Sequence, residues 1–302
     1  SVDGVMPAWS GRDLTGEWPQ PIASALIGEM DKTDVDVAFC LREPMMDVTG
    51  GVVSLSTNGF MMQQIEPYPE RMYLEANVGP VIKRGIKEAN WELEYLFKEK
   101  GAKLCKLYTP EDDGPLNDKR LWPFYEKAQE LGITLTVHTG FSYVVPQPSS
   151  HCQVGQLDDV LLAFPDLKII AYHAGWPQSE ELIGLCGKHR NLYMSLSGII
   201  GWYQRAPYRG YHAIGTALQW MPADKIVLGF DLPFDDLGRV VDYIVNLDMP
   251  AELQEKWGYQ QVTEEDKAKI LGLNLAKLTG IEPVKRKQGG YKTPAPAAGH
   301  GH

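Results

Sequence analysis

The stretch ITLTVHTG, Ile133–Gly140, decides the fold. Its first six residues, Ile133 to His138, carry β-branched Ile, Thr, Thr and Val without helical periodicity, which predicts a buried strand. The run before it, WPFYEKAQEL at Trp122–Leu131, has amphipathic helical spacing and stops at Gly132. Beyond Gly140 the chain turns polar and Pro-broken through Ser150. A helix feeding a strand that ends on histidine, at the lip of a loop, is a unit of a parallel α/β fold. In such folds ligands bind at the C-terminal ends of the strands. A lone histidine there is as readily a core residue bonded to a backbone carbonyl, so His138 counts only in company.

The unit recurs. Strand-like runs stand at VDVAFC (35–40), Met72–Asn77, Lys103–Leu107, KIIAYH (168–173), Leu192–Leu196 and KIVLGF (225–230), with a poorer candidate at SVDGVM (1–6). Each gap between predicted strand ends is long enough for one helix, and strict alternation means a parallel sheet. Eight units fit a single-domain (β/α)8 TIM barrel, which typically needs about 250 residues. A doubly wound sheet is disfavoured because the GxGxxG and GxxxxGK phosphate patterns are both missing. The barrel is expected over residues 1–283, with two or three helices in 235–280. A Pro/Gly/Ala-rich flexible tail is expected over 284–302.

A formal net charge of -10 argues against a nucleic-acid or anionic-membrane surface. No run of about 18 apolar residues predicts a membrane span, and no signal-peptide pattern opens the chain. Cys40, Cys105, Cys152 and Cys186 form no CxxC pair and read as buried thiols, so a cytoplasmic protein is expected.

Three ligand-type residues fall at predicted strand ends: His138, His173 in AYHAGWP, and Asp231 in LGFDLPFDD. A barrel would bring them to one mouth. Two imidazoles and a carboxylate suit a divalent metal such as zinc with an open position. Alternatively one histidine stays off the metal as general acid or base. Lys106 ends another strand and can point into the mouth as a cationic group or sit in a buried pair. Phe141 and Tyr143 follow His138, while Trp202, Tyr203 and Arg205 lie on a later loop. Aromatic rings with an arginine suit a flat, anionic small-molecule substrate. Packing within the loops or in a dimer interface is the competing reading of these rings.

Six stretches in order then resemble a known family: GAKLCKLY, PLNDKRLWPFYEKAQELGITLTVHTG, FPDLKIIAYHAGWP, RNLYMSLSG, DKIVLGFDLPF and LGLNLAKLTGI. They are similar to the amidohydrolase superfamily, in the branch related to aminocarboxymuconate-semialdehyde decarboxylase and the hydroxybenzoate decarboxylases. The resemblance implies a (β/α)8 barrel, a homodimer, and one divalent metal ion, zinc or manganese. It implies His138 as metal ligand, His173 as acid/base in an HxG motif, and Asp231 as ligand or proton handler. The sequence departs from the family at its first strand, where members carry HxH. Here Asp3-Gly-Val5-Met-Pro7 occupies that stretch, and no histidine precedes His138. The related hydroxybenzoate decarboxylases place a carboxylate there, which makes Asp3 a further candidate metal ligand.

The expected function is decarboxylation of a small aromatic or unsaturated cyclic carboxylate. Metal-dependent hydrolysis of a lactone, amide or ring is the alternative. The missing HxH also supports a metal-free acid/base enzyme or a binding barrel.

Overall fold

A computed structural model describes residues 23–42, 57–142, 147–231 and 236–282. The predicted strand at 1–6 with Asp3, the loop residue Tyr143 and the tail 284–302 lie outside the described residues. Seven strands are present among those described: β1 Ala38–Leu41, β2 Met72–Asn77, β3 Leu104–Leu107, β4 Thr134–Val137, β5 Lys168–Ala171, β6 Leu192–Ser195 and β7 Ile226–Val227. All pair in parallel, in chain order. Helices separate the strands, so each unit is a strand, a crossover helix and the next strand alongside. This is the architecture of a (β/α)8 barrel, seven of whose strands lie among the described residues.

The helix Trp122–Leu131 shows why the local sequence folds as it does. Pro123 sits in its first turn, where no backbone N–H is required. Phe124, Tyr125 and Ala128 are buried on one face, and Gly132 caps the end at φ 71°. The Tyr125 hydroxyl, which must find a partner once buried, donates to the Leu116 carbonyl at 2.6 Å.

Strand residues divide by parity. Cys105, Leu107, Leu135, Val137, Ile169 and Ala171 face the helices in the main core. Leu104, Ile170 and Val227 face inward, with Phe39, Tyr172 and Tyr193 packed on them. Leu275 and Leu278 of the C-terminal helix join that inner cluster, so they close the barrel floor. Asn274 fixes the helix there by donating to the carbonyls of Ala223 and Ile226 at 2.7 and 2.8 Å. Paired residues in a parallel ladder share a face. Register therefore puts Glu75 beside Leu104, and Lys106 beside Thr136 and Asn77, on the inner wall.

Three expectations need correction. KIIAYH is strand only to Ala171, and Tyr172–Gly175 is a tight turn. KIVLGF is strand only at Ile226–Val227; at Leu228 the backbone N–H leaves the ladder and bonds Ile270 O, in the turn Lys269–Leu273, at 3.0 Å. The region 237–279 holds four helices and a π-turn rather than two or three helices. All four cysteines are buried and free, as expected of buried thiols. No helix among the described residues is long and apolar enough to cross a membrane.

Candidate active site

His138 lies one residue past β4, two beyond the inward-facing Thr136, and inherits its inward direction. His173 has the opposite parity. Tyr172, two beyond Ile170, already takes the inner face, so an extended His173 would point at the helices. The backbone prevents this by entering the left-handed region at His173 (φ 60°, ψ 28°) and Ala174 (φ 49°, ψ 24°). Each such non-glycine residue costs about 1–2 kcal/mol. The turn brings His173 Nε2 within 3.0 Å of His138 Nδ1.

The outer nitrogens fix the protons. His173 Nδ1 lies 3.0 Å from the Ser197 carbonyl, and His138 Nε2 lies 3.2 Å from the Phe141 carbonyl. A carbonyl only accepts, so each of these nitrogens donates. In neutral rings the two facing nitrogens then both present lone pairs, a contact that calls for a cation between them. Desolvation works against a proton in that place, and so does the nearby charge of Lys106. Burial first, then Lys106, lowers His173 to about 3. Burial, His173 and Lys106 hold His138 well below the usual imidazole value.

Two glycines let the strand exits close on this pair. Gly140 (φ 87°) lies against the next loop so tightly that a Cβ would stand 1.9 Å from the Trp176 carbonyl oxygen. Gly198 (φ 68°) touches both remaining partners: a Cβ there would meet Asp231 Oδ2 at 2.8 Å and His173 Nδ1 at 3.0 Å. Asp231 therefore approaches the Nδ1 edge of His173, and burial raises its carboxyl above the ordinary range. Gly140→Ala is expected to lower the melting temperature sharply and to cut soluble yield. The clash is with backbone, which cannot rotate away, and the left-handed φ adds about 1–2 kcal/mol. Thermal unfolding of the purified variant checks this.

Lys106 ends β3 on the inner wall and is 4 % exposed. Among the described residues its ammonium has no hydrogen bond and no ion pair. It rests on the face of Tyr172, 4.0 Å from the ring centroid. Its charge is nonetheless felt by His138, His173, Asp231 and Glu75.

The aromatic candidates separate. Phe141, 43 % exposed, and Trp202 flank Trp176 at centroid distances of 6.3 and 5.0 Å, forming an aromatic lip. Tyr203 differs from expectation: its ring is buried in the core beneath Gly210. The hydrophobic side of a short amphipathic helix, Ile200–Arg205, takes it there. Arg205, on the outer side of that helix, is exposed and makes no contact with the histidine pair. Sequence reasoning missed Trp176, Tyr172 and Glu75. An acid inside the apolar run MYLEAN and a tyrosine beside the histidine of AYHAG were the available signals. A separate cleft of about 490 Å³ opens beside the β1 and β2 exits, lined by Arg42, Lys83 and Arg84 among others. Two of its cations are already paired, Lys83 with Asp113 and Arg84 with Glu92.

A catalytic metal usually takes three protein ligands and keeps one position open. The described residues offer two convergent nitrogens, and among them no group of three or more His, Cys, Asp or Glu is placed to hold a metal ion. Asp231 stands at the far edge of His173, and Asp3 lies outside the described residues. The donor set on view does not fit the zinc or manganese ion that the resemblance implies.

The amidohydrolase family profile matches residues 68–281, more than half of the chain. The chain belongs to the amidohydrolase family. No curated protein matches this sequence. Among solved structures, an uncharacterised TIM-barrel protein from Bordetella bronchiseptica superposes with a TM-score of 0.66 at 20% identity, over 85% of this chain and 82% of that one. The 2,6-dihydroxybenzoate decarboxylase from Rhizobium gives 0.64 at 14% identity, over 89% and 94%. A dihydroxybenzoic acid decarboxylase from a Polaromonas species, solved with bound manganese and the inhibitor 2-nitroresorcinol, gives 0.63 at 16% identity, over 87% of both chains. At these identities the likeness establishes the barrel fold of this amidohydrolase.

Proposed function

We propose that this amidohydrolase-family chain is a decarboxylase acting on a small aromatic or unsaturated cyclic carboxylate. One observation carries the reading: among the described residues Lys106 is a buried cation with no hydrogen bond or ion pair, set in the same mouth as two facing imidazoles. A buried ammonium without a hydrogen-bonded anion can take an anionic ligand. The structural likeness to decarboxylases of dihydroxybenzoates supports the same class.

The residues then divide the work. Lys106 binds the carboxylate, and its charge is offset when it does so. That removes one of the causes holding the histidine pair unprotonated. The pair takes a proton between His173 Nε2 and His138 Nδ1, where the two lone pairs face. His173 delivers it to the ring carbon that bears the carboxylate. As that C–H bond forms, the C–C bond breaks, its electron pair restores the ring and CO2 leaves. The Ser197 and Phe141 carbonyls keep both rings in one tautomer, and Asp231 supports positive charge at the Nδ1 edge of His173. The manganese belongs to the Polaromonas relative, and no step here passes through it.

The test is to incubate the protein, with and without added manganese or zinc, with a panel of hydroxybenzoates and to quantify the phenols by chromatography. Phenol with matching CO2 is the expected result. Ring opening or hydrolysis products without CO2 would overturn the reading.

A further inference from the structure

Inside the barrel, below the histidine pair, a carboxylate and an ammonium fail to meet. Glu75 on β2 and Lys106 on β3 share the inner wall, and Lys106 lies two residues beyond the register partner of Glu75. Diagonal neighbours on adjacent strands are within reach for long side chains. Both are at least nine-tenths buried, where an ion pair would be strongly attractive. They nevertheless form none. Tyr172 occupies the space between them. Its hydroxyl donates to both oxygens of Glu75, at 2.8 and 3.0 Å, while its ring face carries the Lys106 ammonium at 4.0 Å. Thr136 donates a further bond to Glu75 Oε1 at 2.5 Å, so that oxygen has a second hydroxyl donor besides the tyrosine. Thr139 holds the Tyr172 backbone carbonyl at 2.7 Å, which fixes where the ring stands.

We propose that Tyr172 is an insulating spacer: by holding the Glu75 carboxylate on its hydroxyl and the Lys106 ammonium on its ring, it keeps the two charges apart and leaves Lys106 available to an anionic ligand at the mouth. Tyr172 and Glu75 are thus positioning residues that act through Lys106. The inference rests on the carboxylate reading only for the identity of that ligand. Without the tyrosine hydroxyl, Glu75 loses its main partner and turns to Lys106, which closes the cation to ligands. Without the Glu75 charge, nothing competes for Lys106, and the spacer becomes unnecessary.

The test uses the whole chain as Tyr172→Phe, Glu75→Gln and the double variant, with 2,6-dihydroxybenzoate as the probe in titration calorimetry. Tyr172→Phe is expected to weaken binding about tenfold, Glu75→Gln to leave it unchanged or tighter, and the double variant to recover wild-type affinity. A double variant as weak as Tyr172→Phe would overturn the proposal, because the tyrosine would then contact the ligand itself. Weakened binding in Glu75→Gln would overturn it too, since Glu75 would be needed as the counter-ion of Lys106. A second, ligand-free arm follows reductive methylation of Lys106 with formaldehyde and cyanoborohydride by peptide mass spectrometry. Labelling should slow in Tyr172→Phe and recover in the double variant. Should the wild type bind no probe, the carboxylate reading fails, and the labelling order alone decides the spacer: equal rates in all four proteins overturn it.

Discussion

Lys106→Met is expected to lower kcat/KM for an aromatic carboxylate about a hundredfold or more while leaving the fold as stable as before, or more so. The two halves of this result have one cause. Lys106 is 4 % exposed and its ammonium has no ion pair or hydrogen bond among the described residues, so removing its charge leaves no hydrogen-bonding group there without its partner. Methionine has nearly the same length and no charge, and removing a buried charge in favour of an apolar side chain is commonly neutral or stabilising. What disappears is the partner for the incoming carboxylate. Truncating one side of a buried charge pair costs about 2–5 kcal/mol, and each 1.4 kcal/mol is about tenfold. Steady-state kinetics beside thermal unfolding checks both halves. A variant that lost stability but kept kcat/KM would show Lys106 to be a packing residue.

The same opposition between burial and charge explains what the sequence makes legible. Strand and helix positions follow from hydrophobic period alone, and Met72–Asn77 and Trp122–Leu131 fall where the pattern places them. His138 was also accessible to such reasoning, because it extends the parity of Thr134 and Thr136 off the end of β4. His173 reaches the same point by a different route. Its parity is wrong, and only the left-handed pair His173–Ala174 turns the ring inward. Residue types do not announce that conformation, since neither is glycine. Tyr203 and Arg205 show the converse limit. Composition marked both as wall residues, but a six-residue helix at Ile200–Arg205 sends one into the core and the other to solvent. Glu75 and Tyr172 escaped because their importance lies in a contact that is absent. A glutamate and a lysine on neighbouring strands read as an ordinary pair until the ring between them is seen.

His173→Gln should lower kcat by about 100- to 10,000-fold with a much smaller change in KM, the range expected when a positioned general acid is lost. Glutamine keeps similar bulk and can still donate to the Ser197 carbonyl, but it cannot hold a transferable proton opposite His138 Nδ1. On the proposed reading Lys106 binds the carboxylate, so binding should survive. In D2O the wild type is expected to place one deuterium on the carbon that lost CO2, read by NMR of the product. The substitution also has a signature that needs no substrate. The folded ring resists protonation down to about pH 3, whereas an unfolded histidine accepts a proton near 6.5. Between those values the unfolded chain binds more protons, so wild-type stability falls as pH drops through that window. Glutamine removes this proton from the balance, and the melting temperature of the variant should decline less steeply from pH 6.5 toward 3. An unchanged acid slope together with an unchanged kcat would remove His173 from both roles. A flattened slope with full activity would leave it a buried structural imidazole, and the proton would have to come from His138 or Asp231.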